Sequence, residues 1–465
     1  MKKFAIIYGS LESTVQRKAV EVLSRFLLDE TLEYPECIRY TDTADYSAYR
    51  CIYIGTRQDN PYIARHCPTP LTKAEEYHIV VKDGIAIIEG YDDRGVLYGC
   101  VDFYNEYIVH YEFLHENKYC TAFLQESFPD YEYSSAPSVS DRGIWTWGHV
   151  IYDYRAFIDN MVLLKMNTII IWNDFVPVNI KEMIDYAHSC GIKIILGYAW
   201  LWETNFKAIT KELIDAAPQA IFEKFQREYA ELGADGIYFQ SFTELQTEYI
   251  DDIFIPQAVT DFVNKTAAML FEKYPNLELQ FGLHATSVKE RLEYIAKVDP
   301  RIRIVWEDCG AFPFAYDPRR TEGFDETTAF IQKAMALRGA NEKFGVVTKG
   351  FTTLSWPDFV HMDAPVCVGT SSKWMKRNRV QRKEKYWKYF QAFWLTNAGD
   401  AYEMTKIMTS GTQGDLHITA LVEDGMFEEN IMYPVALYAQ MLWDCRRDLK
   451  KTMSDVALRS YVTFA

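Results

Sequence analysis

The chain has 465 residues, 49% of them apolar and 25% charged, a composition that excludes disorder, collagen-like repeats and a disulfide-dense miniprotein. Its formal charge of −16 repels phosphate backbones and anionic lipid, so neither nucleic acid nor a membrane is an expected partner. Aromatic residues reach 15%, with tyrosine in excess, which suits surfaces where ring faces meet polar ligands such as sugars.

The opening MKKFAIIYGS has an apolar run too short for a signal-peptide core, and no apolar stretch reaches about 18 residues. A cytoplasmic protein is expected, or a periplasmic or secreted one if a leader has been removed. FAIIYGS reads as a first strand; Ala19, Val22, Leu23, Phe26 and Leu27 follow at helical spacing, and CIYIGT is a second strand. YHIVV and IAIIEG flank Lys-Asp-Gly at 82–84, a hairpin signal, and Val96, Leu97, Cys100, Val101 and Tyr104 make one helix face. Residues 1–135 therefore read as a small α+β domain. The nine cysteines lie singly, with no CxxC pair and no zinc spacing, as expected of reduced thiols.

SSAPSVS at 134–140 is linker-like, and a new unit begins at Asp141. From there β-rich runs starting near Arg142, Thr168, Ile192, Asp235, Leu277, Arg301 and Phe344 alternate with amphipathic helices. TIIIW and KIILG are almost wholly apolar, as strands buried on both faces must be. The expected fold class is α/β, a (β/α)8 TIM barrel over 136–400 with its eighth strand at 389–397, and a mainly helical extension over 401–465. An open doubly wound sheet is the competitor, and the first strand lacks the glycine-rich phosphate turn of its nucleotide-binding form.

Barrel active sites lie just beyond the C-terminal ends of the strands. Those positions hold Trp145, Trp147 and His149 after strand 1, then Trp172, Asn173 and Asp174, then Trp200, Trp202 and Glu203. Strand 4 delivers Tyr238, Gln240 and Glu244; strand 5, His284; strand 6, Trp306, Glu307 and Asp308; strand 7, Lys349 and Trp356. The tryptophans would stack on sugar rings while the polar groups bind hydroxyls, so a carbohydrate is the expected substrate. Glycosidic bonds are cut by one protonated and one ionised carboxyl group. Glu244 is the expected acid, since burial beside Tyr238 or Phe242 would raise its pKa. Glu307 is the favoured partner and Asp308 the next, because neighbouring strand residues face opposite ways. Strands 4 and 6 are next-but-one neighbours, a separation that suits an inverting enzyme. His149, His284 and Asp174 lack HxH or HExxH spacing, so no metal and no cofactor is expected, and a Schiff-base role for Lys349 is the lesser reading.

The segment EEYHIVVKDGIAIIEGYDDRGVLYGCVDFYNEYI at 75–108, with its G-x-D-x-x-G-x-x-Y-G run, resembles the end of the small domain that precedes the barrel in family 20 β-hexosaminidases and family 67 α-glucuronidases. The following SDRGIW is similar to the opening of those barrels. The resemblance implies a glycosidase of either type, with Arg142 holding sugar hydroxyls and Arg142 and Lys349 as the cations available to a uronate. Hexosaminidases carry Asp-Glu after strand 4, where this chain has Thr243-Glu244, a departure at the acetamido-orienting position. The alternative is a catalytically inactive glycan-binding barrel, and homo-oligomerisation is left open.

Overall fold

A computed structural model describes the chain except residues 1, 110–127, 148–150, 152, 174, 203, 205–207, 244–246, 285–290, 308–322, 340, 352–363, 370–372 and 423–426, with only the backbone of 147 and 373–383. The N-terminal unit is a six-stranded sheet built from β1 (Lys3–Tyr8), β2 (Glu36–Arg39), β3 (Tyr49–Gly55), β4 (Tyr77–Lys82), β5 (Ile85–Gly90) and β6 (Tyr131–Ser135) in the order β2-β1-β3-β5-β4-β6. β4 and β5 are the expected antiparallel hairpin, turning at Asp83 and Gly84 with φ of +51° and +77°. Helices α1 (Thr14–Thr31) and α2 (Asp93–Asp102) pack against one another, and their apolar residues belong to the main core.

The G-x-D-x-x-G-x-x-Y-G run is a docking device. Asp92 caps α2 by accepting a bond from the Gly95 amide at 2.8 Å. A Cβ on Gly95 would lie 2.4 Å from the Glu76 carbonyl, and one on Gly99 would lie 2.6 Å from an Ile88 methyl, so only glycine lets the helix approach the hairpin this closely. Tyr98 then reaches across to the Met166 carbonyl, carrying the contact into the barrel.

The barrel is closed and all parallel: β7 (Asp141–Trp147), β8 (Thr168–Trp172), β9 (Lys193–Gly197), β10 (Gly236–Phe239), β11 (Glu278–His284), β12 (Arg303–Glu307), β13 (Phe344–Phe351) and β14 (Leu416–Val422). The (β/α)8 expectation holds, with α3 (Tyr154–Leu163), α4 (Ile180–Ser189), α5 (Lys211–Glu228), α6 (Ile255–Lys273) and α7 (Phe324–Met335) among the outer helices. The eighth strand requires a correction. Residues 389–397 lie inside the long helix α8 (Lys373–Gly411), where Trp387, Phe390, Trp394 and Ala398 are buried at helical steps, and the barrel closes through β14 instead. Barrel sequence thus runs past residue 400, and the remaining C-terminal elements include α9 (Tyr433–Trp443) and α10 (Leu449–Ala457).

The barrel's N-terminal end rests on the small domain through buried charge. Arg142 uses all five of its guanidinium hydrogens there, on the carbonyls of Val139, Ser140 and Lys165 and on Glu75 at 2.6 Å. Lys165 pairs with Asp102 at 2.5 Å. Both cations lie against the Trp443 ring, at 4.3 Å for Lys165 and 5.0 Å for Arg142, so α9 seals the junction.

Candidate active site

Inside the barrel the side chains form layers. At the N-terminal end Asp141 pairs with Lys193 at 2.9 Å, Arg303 with Glu278 at 3.3 Å, and Gln280 meets His417 at 3.2 Å. Burial and the nearby Arg303 push the His417 imidazole down to about 4. Burial of Asp141 opposes ionisation, but His417, Lys193 and Arg303 outweigh it and hold that carboxyl at about 2. The middle layer is apolar: Trp145, Ile170, Trp172, Ile195, Val305, Val347 and Leu421 surround the ring of Tyr238. Gly282 makes room for that ring, since a Cβ there would lie 2.0 Å from the tyrosine hydroxyl.

Above this layer sits Glu307, the last residue of β12 and 1% exposed. Its Oε1 accepts from the Tyr238 hydroxyl at 2.6 Å and from the Gln240 amide, and its Oε2 accepts from Lys349 Nζ at 2.6 Å. Burial pushes this carboxyl towards its neutral form; Lys349, and then His284, outweigh burial and leave its pKa below the usual glutamate value. His284 stands opposite Glu307 in the register of β11 and β12 and is half-buried. Lys349 also lies 5.7 Å from the Trp145 ring centre. An anionic carboxylate and an ammonium group therefore meet at the C-terminal end of the barrel, as expected for an active site of this fold.

Alternation along β12 separates Trp306 from Glu307. Trp306 faces outward and packs on Phe330 at 5.4 Å, so it is a packing residue rather than a sugar platform. Trp200 is corrected in the same way: it is fully buried and stacked on Phe239 at 3.6 Å in the layer between barrel and helices. Trp172 and Tyr238 do face the interior but are buried, and Tyr238 serves the site through its hydroxyl. Trp202 is half-buried and edge-on to Trp172 at 5.6 Å. Arg142 is corrected outright. It lies near the start of β7, at the opposite end of the barrel, and every donor is already engaged.

Glu244, Asp308, His149, Asp174, Glu203 and Trp356 lie outside the described residues, as does the side chain of Trp147. The structure thus brings together Glu307, Lys349, Tyr238, His284 and Gln240. The direct bond from Gln240 to Glu307 had one sequence signal: Gln240, just past the end of β10, is two residues from Tyr238, the alternation that keeps side chains on one face.

No family model matches the chain, and no curated protein matches it by sequence. Solved structures match it in fold. A GH138 enzyme targeting pectin rhamnogalacturonan II is 13% identical with a TM-score of 0.55, over 97% of this chain and 65% of that one. CpGH84B is 11% identical with a TM-score of 0.57, over 98% of this chain and 70% of that one. BtGH115A, a family GH115 4-O-methyl-alpha-glucuronidase with specificity for decorated arabinogalactans, is 15% identical with a TM-score of 0.54, over 97% and 57%. The chain therefore has the fold of glycoside hydrolase barrels and spans about two thirds or less of the length of the first and third of these proteins. Their families are 138, 84 and 115, not the 20 and 67 that the hairpin-and-helix segment resembles.

Proposed function

We propose that the protein is a glycoside hydrolase in which Glu307 is the ionised carboxylate and Glu244 the acid. The observation that carries this reading is the position and state of Glu307, a buried acid at the end of a barrel strand, kept anionic by Lys349 and oriented by Tyr238 and Gln240. An ionised carboxylate held in this position suits the orientation of a water or the stabilisation of a positive charge developing on the sugar. Glu244 follows the buried Phe242 by two residues in the sequence after β10, the position from which the acid is proposed to act. Trp202 supplies a ring for the sugar's apolar face. Fold neighbours that are glycosidases, one of them a glucuronidase, support the same class and put glucuronides beside hexosaminides as the first chromogenic substrates to screen.

The test is a pair of isosteric variants on a substrate found by that screen. Glu244→Gln and Glu307→Gln should each lower kcat by roughly 100-fold or more while sugar binding persists. Unchanged turnover in either variant removes that residue from the mechanism. One observation favours a second reading, a glycan-binding barrel without activity: a buried carboxylate bound by a tyrosine, a glutamine and a lysine can also serve as a structural cluster. Saturable glycan binding with no hydrolysis of any tested glycoside would select it.

A further inference from the structure

On the face of the N-terminal sheet turned away from the barrel, three polar side chains converge beside an apolar patch that includes Ile7, Tyr53, Ile63 and Ile87. Cys67 follows the short helix Pro61–His66. His78 on β4 and Glu89 on β5 are directly opposed in the hairpin register. Ligand atoms of these three residues all lie within 4.8 Å of one another. Glu132 on β6 lies at the edge of this group and is exposed, its Oε1 standing 3.1 Å from His78 Nε2 and able to swing in as a further ligand.

We propose that Cys67, His78 and Glu89, with Glu132 as the fourth ligand, form a structural zinc site. A thiolate, an imidazole and carboxylates are the donors zinc takes, and four of them complete its tetrahedral shell. Glu89 supplies an independent sign. The residue is 1% exposed; Arg57 Nε binds its Oε1 at 2.5 Å, while its Oε2 is buried with no N–H or O–H donor, the weakly donating Cys67 thiol being its neighbour. A buried carboxylate oxygen without a strong donor is costly, and a cation at this point satisfies it. Arg57 also binds the Cys67 and Thr69 carbonyls, so it braces both the Glu89 carboxylate and the cysteine backbone from outside the ligand shell. Charges balance: a thiolate and two carboxylates against Zn2+ and the guanidinium. Zinc takes cysteine as thiolate, so the thiol proton of Cys67 would leave to solvent as the sulfur–metal bond forms. The site would tie the Cys67 segment to the hairpin and to β6, the strand that leads into the barrel.

The full chain, stripped with chelator, is titrated with Zn2+ against a chromogenic competitor and, separately, with Co2+. One equivalent should bind, and Co2+ should give tetrahedral d–d bands with a thiolate charge-transfer band. Cys67→Ser should abolish the charge-transfer band, and Cys67→Ser and Glu89→Gln should each weaken zinc binding by roughly 100-fold. Cys37→Ser and Cys367→Ser, which remove exposed thiols, should change neither. Wild-type protein that binds Zn2+ more weakly than about 1 μM overturns the proposal, as does a Co2+ complex without the thiolate band. Equal zinc affinity in wild type and Glu89→Gln overturns it too. The wild-type measurements decide the matter even if a variant fails to fold, and none of these readouts depends on glycosidase activity.

Discussion

At the N-terminal end of the barrel, charges are stitched in pairs: Asp141 with Lys193, Glu278 with Arg303, Glu75 with Arg142, Asp102 with Lys165. At the C-terminal end three donors from two strands, Tyr238 and Gln240 on one side and Lys349 on the other, converge on a single carboxylate. Both ends bury ions, but the first distributes opposite charges between strands and domains, while the second concentrates polar groups on Glu307. Buried charge alone does not mark an active site. Convergence at the strand ends where chemistry can be grafted distinguishes the second cluster.

The contrast is open to attack at both ends. Lys165→Met strands Asp102 and should cost about 3–5 kcal/mol of stability in urea unfolding, with part restored by adding Asp102→Asn. A loss below about 1 kcal/mol would mean the junction does not depend on its pairs. The pH dependence of stability should expose His417 next. Its folded pKa of about 4 lies below the ordinary 6.5, so between those values the unfolded chain takes up a proton that the native barrel refuses. Stability should fall by roughly 3 kcal/mol as pH drops through that window, and His417→Gln should remove this component of the melting-temperature profile.

At the other end, Lys349→Met should lower kcat/KM by roughly 100-fold and move the acidic limb of the pH profile upward, because Lys349 is the main opponent of burial at Glu307. An unmoved limb would place Glu307 with the structural pairs. The smallest expected effect is at Trp202. Trp202→Ala should raise KM by about 1 kcal/mol equivalent with kcat nearly unchanged, since a stacking ring binds ground and transition states alike.

Much of the barrel was legible because strands buried on both faces leave continuous apolar runs, and the first seven begin within two residues of the starts read from sequence. The eighth was misplaced because aromatic density at 389–397 imitates a strand, although Trp387, Phe390 and Trp394 keep helical spacing. The site was legible only in part. In a strand with two buried faces, composition does not say which residue points inward, and so Trp200 and Trp306 were taken for sugar platforms, while Glu307 was read as a carboxylate without the three donors that bind it. Arg142 failed for another reason: the resemblance marked its position, and it lies near the wrong end of the strand. Cys67, His78, Glu89 and Glu132 come from four separate segments and leave no motif at all.

Closure through Leu416–Val422 also has a consequence in time. The neighbours of that strand are Asp141–Trp147 and Phe344–Phe351, so the first barrel strand emerges from the ribosome long before the segment that will cover its open edge. During that interval a nascent chain carries an unpaired row of backbone amides and carbonyls, and the small domain, already synthesised, offers a native surface on which the growing sheet can rest.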